Sequence, residues 1–112
     1  MEELLSKGKL GLQDLQTFHK VLDEEKHFDQ DIFRNVAYLS GEIGEFVSAI
    51  RQLRKANNET EETNARKHIG EELADCLAYV VKLANCAEID LQEAYVSKMK
   101  SNLNREWHPK IK

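Results

Sequence analysis

The chain has 112 residues, of which 41% are apolar and 32% charged, with a net charge of −4 at neutral pH. That length supports one domain with a modest core, and no apolar run approaches the roughly 18 residues that a membrane helix needs. The acidic balance argues against nucleic-acid polymers as partners, because only "IRQLRK" (50 to 55) is locally basic, and the absence of a signal-like segment leads to the expectation of a cytoplasmic protein.

Alternation of β-branched residues is absent, and the sole proline, Pro109, follows every periodic segment, so the spacing predicts an all-α fold. Residues 1 to 10 read as a flexible N-terminal arm and 11 to 112 as a single helical domain. Helices are expected near 11 to 26, 31 to 56, 62 to 87 and 90 to 105. The breaks have chemical causes: Asp29 and Asp31 are N-cap candidates, "NNETEET" is a polar loop with Thr60 or Thr63 as caps, and Asp90 with Glu93 has capping-box spacing. Cys76 and Cys86 fall on one predicted helix about 15 Å apart, too far to join each other, and with no CxxC cluster they read as small near-core residues.

The second predicted helix carries an apolar seam at Val36, Leu39, Ile43, Phe46, Ile50 and Leu53, and the third repeats it with Ile69, Leu73, Cys76, Val80, Leu83 and Ala87. These are bundle spacings, and the seam is expected to be core. One residue ahead of each seam runs a second stripe: Tyr38, Glu42, Glu45, Ala49, Gln52 on one helix and His68, Glu72, Asp75, Tyr79, Lys82 on the other. Each holds two carboxylates three residues apart, a pairing that repels unless something positive intervenes. Either pair alone reads as a solvated face. Two pairs beside the seams of neighbouring helices predict an acidic cluster at the edge of the core. The fourth predicted helix places Tyr95, Lys98, Asn102 and Arg105 in the equivalent stripe.

A cluster of carboxylate oxygens selects hard cations such as Mg²⁺, Mn²⁺ or Ca²⁺. Magnesium keeps positions open for phosphate oxygens, which Lys98 and Arg105 would also serve. The reaction class is then metal-assisted attack of water on phosphorus, with Glu42 or Glu45 as proton acceptor. His68, four residues before Glu72, is a candidate to orient that carboxylate. Gly41 and Gly44 belong to a stripe of small residues with Ala37 and Ser48, which suggests a close approach by another helix or a ligand.

"GEIGEF", then "GEELADCLAYVVKLAN", then "IDLQEAYVSKMKSNLNREW" resembles the MazG-like all-α nucleoside triphosphate pyrophosphohydrolases, whose signature is ExxE, a spacer and ExxD. The likeness covers roughly residues 31 to 107 and is nearest to single-domain, dCTP-pyrophosphatase-like members. It implies a four-helix-bundle-like fold in a homodimer or homotetramer that uses Mg²⁺, with Mn²⁺ as a substitute. The expected reaction converts a nucleoside triphosphate, canonical or modified, to its monophosphate and pyrophosphate in nucleotide-pool cleaning. By the same likeness Glu42, Glu45, Glu72 and Asp75 match metal ligands, while Lys98, Asn102, Arg105 and Tyr79 match substrate contacts. Trp107 is a further candidate for stacking on a base, although "NREWHP" departs from the basic-Tyr-Pro ending of relatives. The rival reading is a noncatalytic helical interaction module with solvated acidic stripes. A di-iron carboxylate bundle is disfavoured because no Glu-x-x-His pair is present.

Overall fold

A computed structural model describes residues 1 to 105, which form five helices in the order α1 (Glu2–Leu5), α2 (Leu12–Lys26), α3 (Ile32–Lys55), α4 (Glu59–Cys86) and α5 (Leu91–Leu103). No strand occurs among the described residues, and no helix among them is long and apolar enough to cross a membrane. The expected N-terminal arm contains the one-turn helix α1, too short to be seen as periodicity, and Lys7 ties the segment to α2 through an ion pair with Asp14 at 3.0 Å.

Side-chain caps decide where the long helices begin. Asp31 accepts a hydrogen bond from the Arg34 amide (2.8 Å) and Asp90 from that of Glu93 (3.0 Å), as expected of N-caps. The start of α4 differs from the sequence reading: Asn58, not Thr60 or Thr63, accepts from the Glu61 amide at 2.9 Å. The helix therefore begins at Glu59 and gains a first turn carrying Glu59, Glu61 and Glu62, whose charges suit the helix N-terminus. At the far end of α2, His27 adopts the left-handed conformation (φ 54°), and the chain turns there toward α3.

α3 and α4 form a long antiparallel hairpin, α2 lies along α4, and α5 packs on α2 rather than extensively on the hairpin. The corner between α4 and α5 is clasped to α2 by Gln16. Its amide nitrogen donates to Asn85 Oδ1 (2.9 Å) and the Ile89 carbonyl (2.8 Å), and its Oε1 accepts from the Leu91 amide (2.9 Å). Asn85 returns a bond to the Gln16 carbonyl.

The apolar seams expected to be core are covered only in part within the chain. Leu39, Phe46, Ile50, Leu53, Ile69, Cys76 and Leu83 are half-buried, whereas Val36, Ile43, Leu73, Val80 and Ala87 are exposed in the single chain. The buried apolar residues are small or branched instead: Ala49, Ala65, Val81 and Ala84. Of these, Ala49 belongs to the stripe of α3 that carries the acids, where a small side chain leaves room for a close neighbour. A 3-4 spacing identifies the apolar side of a helix but not the neighbour that will cover it. The small-residue stripe is likewise exposed, and a Cβ added at Gly41 or Gly44 would meet nothing within 4 Å, so the expected close approach does not occur within the chain.

Candidate metal centre

Where α3 and α4 face each other, Glu42 meets Glu72 and Asp75, and one carboxylate oxygen from each lies within 4.8 Å of the others. Glu72 is the buried member, Glu42 is half-buried and Asp75 is exposed, so the group grades from interior to solvent. The Glu72 carboxylate is held from one side: its Oε1 lies 3.3 Å from His68 Nε2, while His68 Nδ1 is 3.1 Å from Gln52 Oε1 on α3. Its other oxygen, Oε2, is buried with no hydrogen-bond partner.

That orphaned oxygen tests whether a cation fits. A buried acceptor without a donor costs about 1 to 3 kcal/mol, and more when it is charged. Three carboxylates this close cannot all ionise cheaply unless a proton or a cation lies among them. The Glu42 carboxyl shows the strain. Only when protonated can it donate a hydrogen bond to Glu72, the proton then standing where a cation would, and that bond holds it above the ordinary range, assisted by burial and by the charges of Asp75, Glu72 and Glu45. An all-oxygen donor set suits a hard divalent cation, and Glu42, Glu72 and Asp75 would hold one.

The tyrosines of the two stripes flank this group, with the Tyr38 and Tyr79 rings 6.0 Å apart. Burial, followed by the Glu42 charge, pushes the Tyr79 hydroxyl up, so it remains a protonated donor. Beyond them a groove of about 470 Å³ is bordered by Glu42 and Asp75 and extends along α4 to Lys82, with Phe28, Asp29 and Asn35 also on its walls. The Asn35 side chain is buried and shapes the wall by donating to the carbonyls of Asp29 (2.9 Å) and Asp31 (2.7 Å). Asp29 is in turn paired with Arg34, whose hydrogen bond, with that of the Asp31 amide, holds the Asp29 carboxyl down at about 2. Burial pushes the His19 imidazole down, so it is neutral at neutral pH.

Deeper along α4, Lys82 Nζ lies 3.4 Å from Asp23 of α2, both side chains being only 8% exposed. The ammonium also lies 5.5 Å from the centre of the Phe28 ring. The sequence reading listed Lys82 in the acidic stripe but gave it no role. Its place in that stripe, one turn past Tyr79, is the signal that puts it on the groove. Asp23 belongs to a different helix, and no spacing along the chain connects the two.

The other candidates are distributed as follows. Glu45 is exposed and lies outside the three-carboxylate group, while Tyr79 lines the groove. Lys98 and Asn102 lie on α5 and Arg105 just beyond it, on the helix that packs against α2 and is not brought onto the hairpin. Asn102 Nδ2 lies 3.9 Å from Met99 Sδ on its own helix. Trp107 lies outside the described residues. Among known families, the model for the MazG nucleotide pyrophosphohydrolase domain matches residues 30–108. No curated protein matches the chain.

Proposed function

The chain belongs to the MazG nucleotide pyrophosphohydrolase domain family, and on that premise we propose that it hydrolyses a nucleoside triphosphate to the monophosphate and pyrophosphate with Mg²⁺ or Mn²⁺. The observation that carries this reading is the convergence of Glu42, Glu72 and Asp75 around a buried carboxylate oxygen that lacks a donor. Nucleotide-pool cleaning in the cytoplasm is the role we infer for such a reaction.

When bound, a divalent cation offsets the phosphate charge and lowers the pKa of the attacking water. The chain's own residues supply the rest. Glu72, braced by His68 and Gln52, and Asp75 hold the cation from α4, and Glu42 holds it from α3. Glu45, one turn beyond Glu42 and open to solvent, joins the ligand set or, with Glu42, accepts the proton of the attacking water. Attack at the α-phosphorus breaks the α–β anhydride bond, and pyrophosphate leaves with the electron pair. The groove beside the carboxylates takes the nucleoside, with Tyr79 donating from its wall.

Phosphate-binding cations are then supplied by a second copy, as a homodimer or homotetramer. α5 exposes Tyr95, Val96, Met99 and Leu103 beside Lys98, while the hairpin exposes Ile43, Val47, Leu73, Leu77 and Val80 near its acids. Apolar area on both faces and opposite charge support one copy's α5 lying on another's hairpin, where Lys98, Asn102 and Arg105 meet the phosphates.

The test is pyrophosphate release from a panel of ribo- and deoxyribonucleoside triphosphates, with and without Mg²⁺. Metal-dependent release that collapses in Asp75→Asn is expected. No release from any nucleotide with either metal would overturn the reading and leave the interaction module.

A further inference from the structure

We infer that the buried Asp23 and Lys82 side chains read the base of the nucleotide, selecting bases that present a ring N–H beside a carbonyl oxygen over bases that present an amino group beside an unprotonated ring nitrogen. This rests on the reading above that the groove takes the nucleoside.

The pair is unusual for its setting. Both groups are more than nine-tenths buried, both line the groove that adjoins the carboxylates, and they sit on different helices. A pair that only tied α2 to α4 would gain little, because removing two charges from water costs about as much as their attraction returns, and apolar replacements are commonly as stable. Nor is the pair saturated. At 3.4 Å it is longer than a tight charge-assisted contact, and an ammonium has three donors where a carboxylate can accept several bonds. Phe28 meets one side of the ammonium with its ring, which screens the charge without using an N–H. A buried donor and a buried acceptor side by side, each with capacity left over, match the edge of a base that offers an acceptor beside a donor.

Chemistry chooses between the two kinds of edge. A lysine ammonium bonds more strongly to a carbonyl oxygen than to a ring nitrogen. A carboxylate bonds more strongly to the acidic ring N–H of guanine or uracil than to the less acidic amino group of adenine or cytosine. Both preferences point the same way, with Lys82 donating to the carbonyl and Asp23 accepting from the ring N–H. The neighbouring His19 is neutral and adds no competing charge.

The full-length protein is tested in two ways. Pyrophosphate release is compared for GTP, UTP, ATP and CTP and their deoxy forms, and binding of the four nucleoside monophosphates is measured by calorimetry. Guanine and uracil nucleotides are expected to be favoured by about tenfold or more in kcat/KM and in affinity, the discrimination of one good paired contact. In Asp23→Leu/Lys82→Met, which removes both charges together, the ratio falls to within about threefold through a higher KM for the favoured bases. If that variant does not melt cooperatively, Asp23→Asn keeps the shape, offers both a donor and an acceptor, and is expected to relax the same ratio. A preference for adenine or cytosine, or a ratio unchanged in these variants, overturns the inference. Selective monophosphate binding without turnover of any triphosphate would sustain it while removing the hydrolase reading, and no binding of any monophosphate would overturn it.

Discussion

The two faces of the α3–α4 hairpin differ in a way that average hydropathy does not anticipate. Its inner face is polar and chemically dense: Tyr38, Glu42 and Gln52 meet Tyr79, Glu72, Asp75 and His68 across the helices. Its outer face is apolar and open, with Ile43, Leu73 and Val80 exposed in the single chain. A helix pair meeting along acids forgoes the apolar burial that normally drives association. Small residues such as Ala49, together with the cross-helix Gln52–His68–Glu72 chain, hold the inner face together. On the reading proposed above, the inner face takes a ligand and the outer face a neighbour.

The comparison breaks most sharply at Glu72. If the proposed metal-dependent hydrolysis holds, Glu72→Gln is expected to lower pyrophosphate release by about a thousandfold or more, because it would remove a charge from the cation's ligand set and the orientation that His68 gives it. Yet the melting temperature of the metal-free protein should hold or rise, since a neutral amide relieves the crowding of three acids. Thermal melts with and without Mg²⁺ check this: the parent should be stabilised by the ion and the variant should not. A variant that loses activity only because it unfolds would mean that the inner face is a structural interface.

The next effect belongs to the outer face. Leu73 is 50% exposed in the chain, so Leu73→Glu should barely alter the stability of an isolated copy. If a second copy covers that face, burying the new charge should weaken association by about 2 kcal/mol or more. Sedimentation velocity reads the shift toward monomer, and pyrophosphate release should fall with it as Lys98, Asn102 and Arg105 are lost from the site. An unchanged sedimentation coefficient would show that the apolar face has another purpose.

These two faces also explain what was legible in the sequence. Cap chemistry at Asp31 and Asp90 and the 3.6-residue period located the helices, because such signals are local. Asn58 displaced Thr60 and Thr63 because an asparagine sat three residues before an available amide, a choice that the run "NNETEET" leaves open. The acidic stripes identified Glu42, Glu72 and Asp75 as candidates because all three lie on helices with a regular repeat. The Asp23–Lys82 pair and the Gln16 clasp are not legible in the sequence, because each joins helices whose relative rotation no single helix encodes. The seam was read as core for a related reason. Apolarity records that a face avoids water, and the partner can be another copy of the chain.

Two carboxyls that border the same groove titrate with opposite signs. Asp29, outside the carboxylate group, has its folded value lowered to about 2 by Arg34, so its stabilising contribution is present above the unfolded value of 3.8 and lost as the pH falls toward 2. Glu42 has its folded value raised above 4.5, so its contribution is present below 4.5 and lost as the pH rises through the folded value. Metal-free protein should therefore gain stability from Asp29 as the pH rises from 2 to 4 and lose some from Glu42 above 4.5. Denaturant melts across this range should show the second limb flatten in Glu42→Gln and the first flatten in Asp29→Asn. A second limb that persists in Glu42→Gln would place the crowding elsewhere.

The smallest effect concerns Gly41, which lies between the faces. Alanine in a helix interior is favoured over glycine by about 1 kcal/mol, and a Cβ at Gly41 meets nothing within the chain. Gly41→Ala should therefore stabilise an isolated copy by about that amount, as read in denaturant melts of the Leu73→Glu background, where association is broken. In the parent, should it associate, the same methyl group is informative in the other direction. If a second helix approaches the stripe of Ala37, Gly41, Gly44 and Ser48, the gain should shrink or reverse, and the difference between the two backgrounds measures the contact without reference to activity. An equal gain in both would leave these glycines without a packing role and would confine the neighbour to the apolar side of the hairpin.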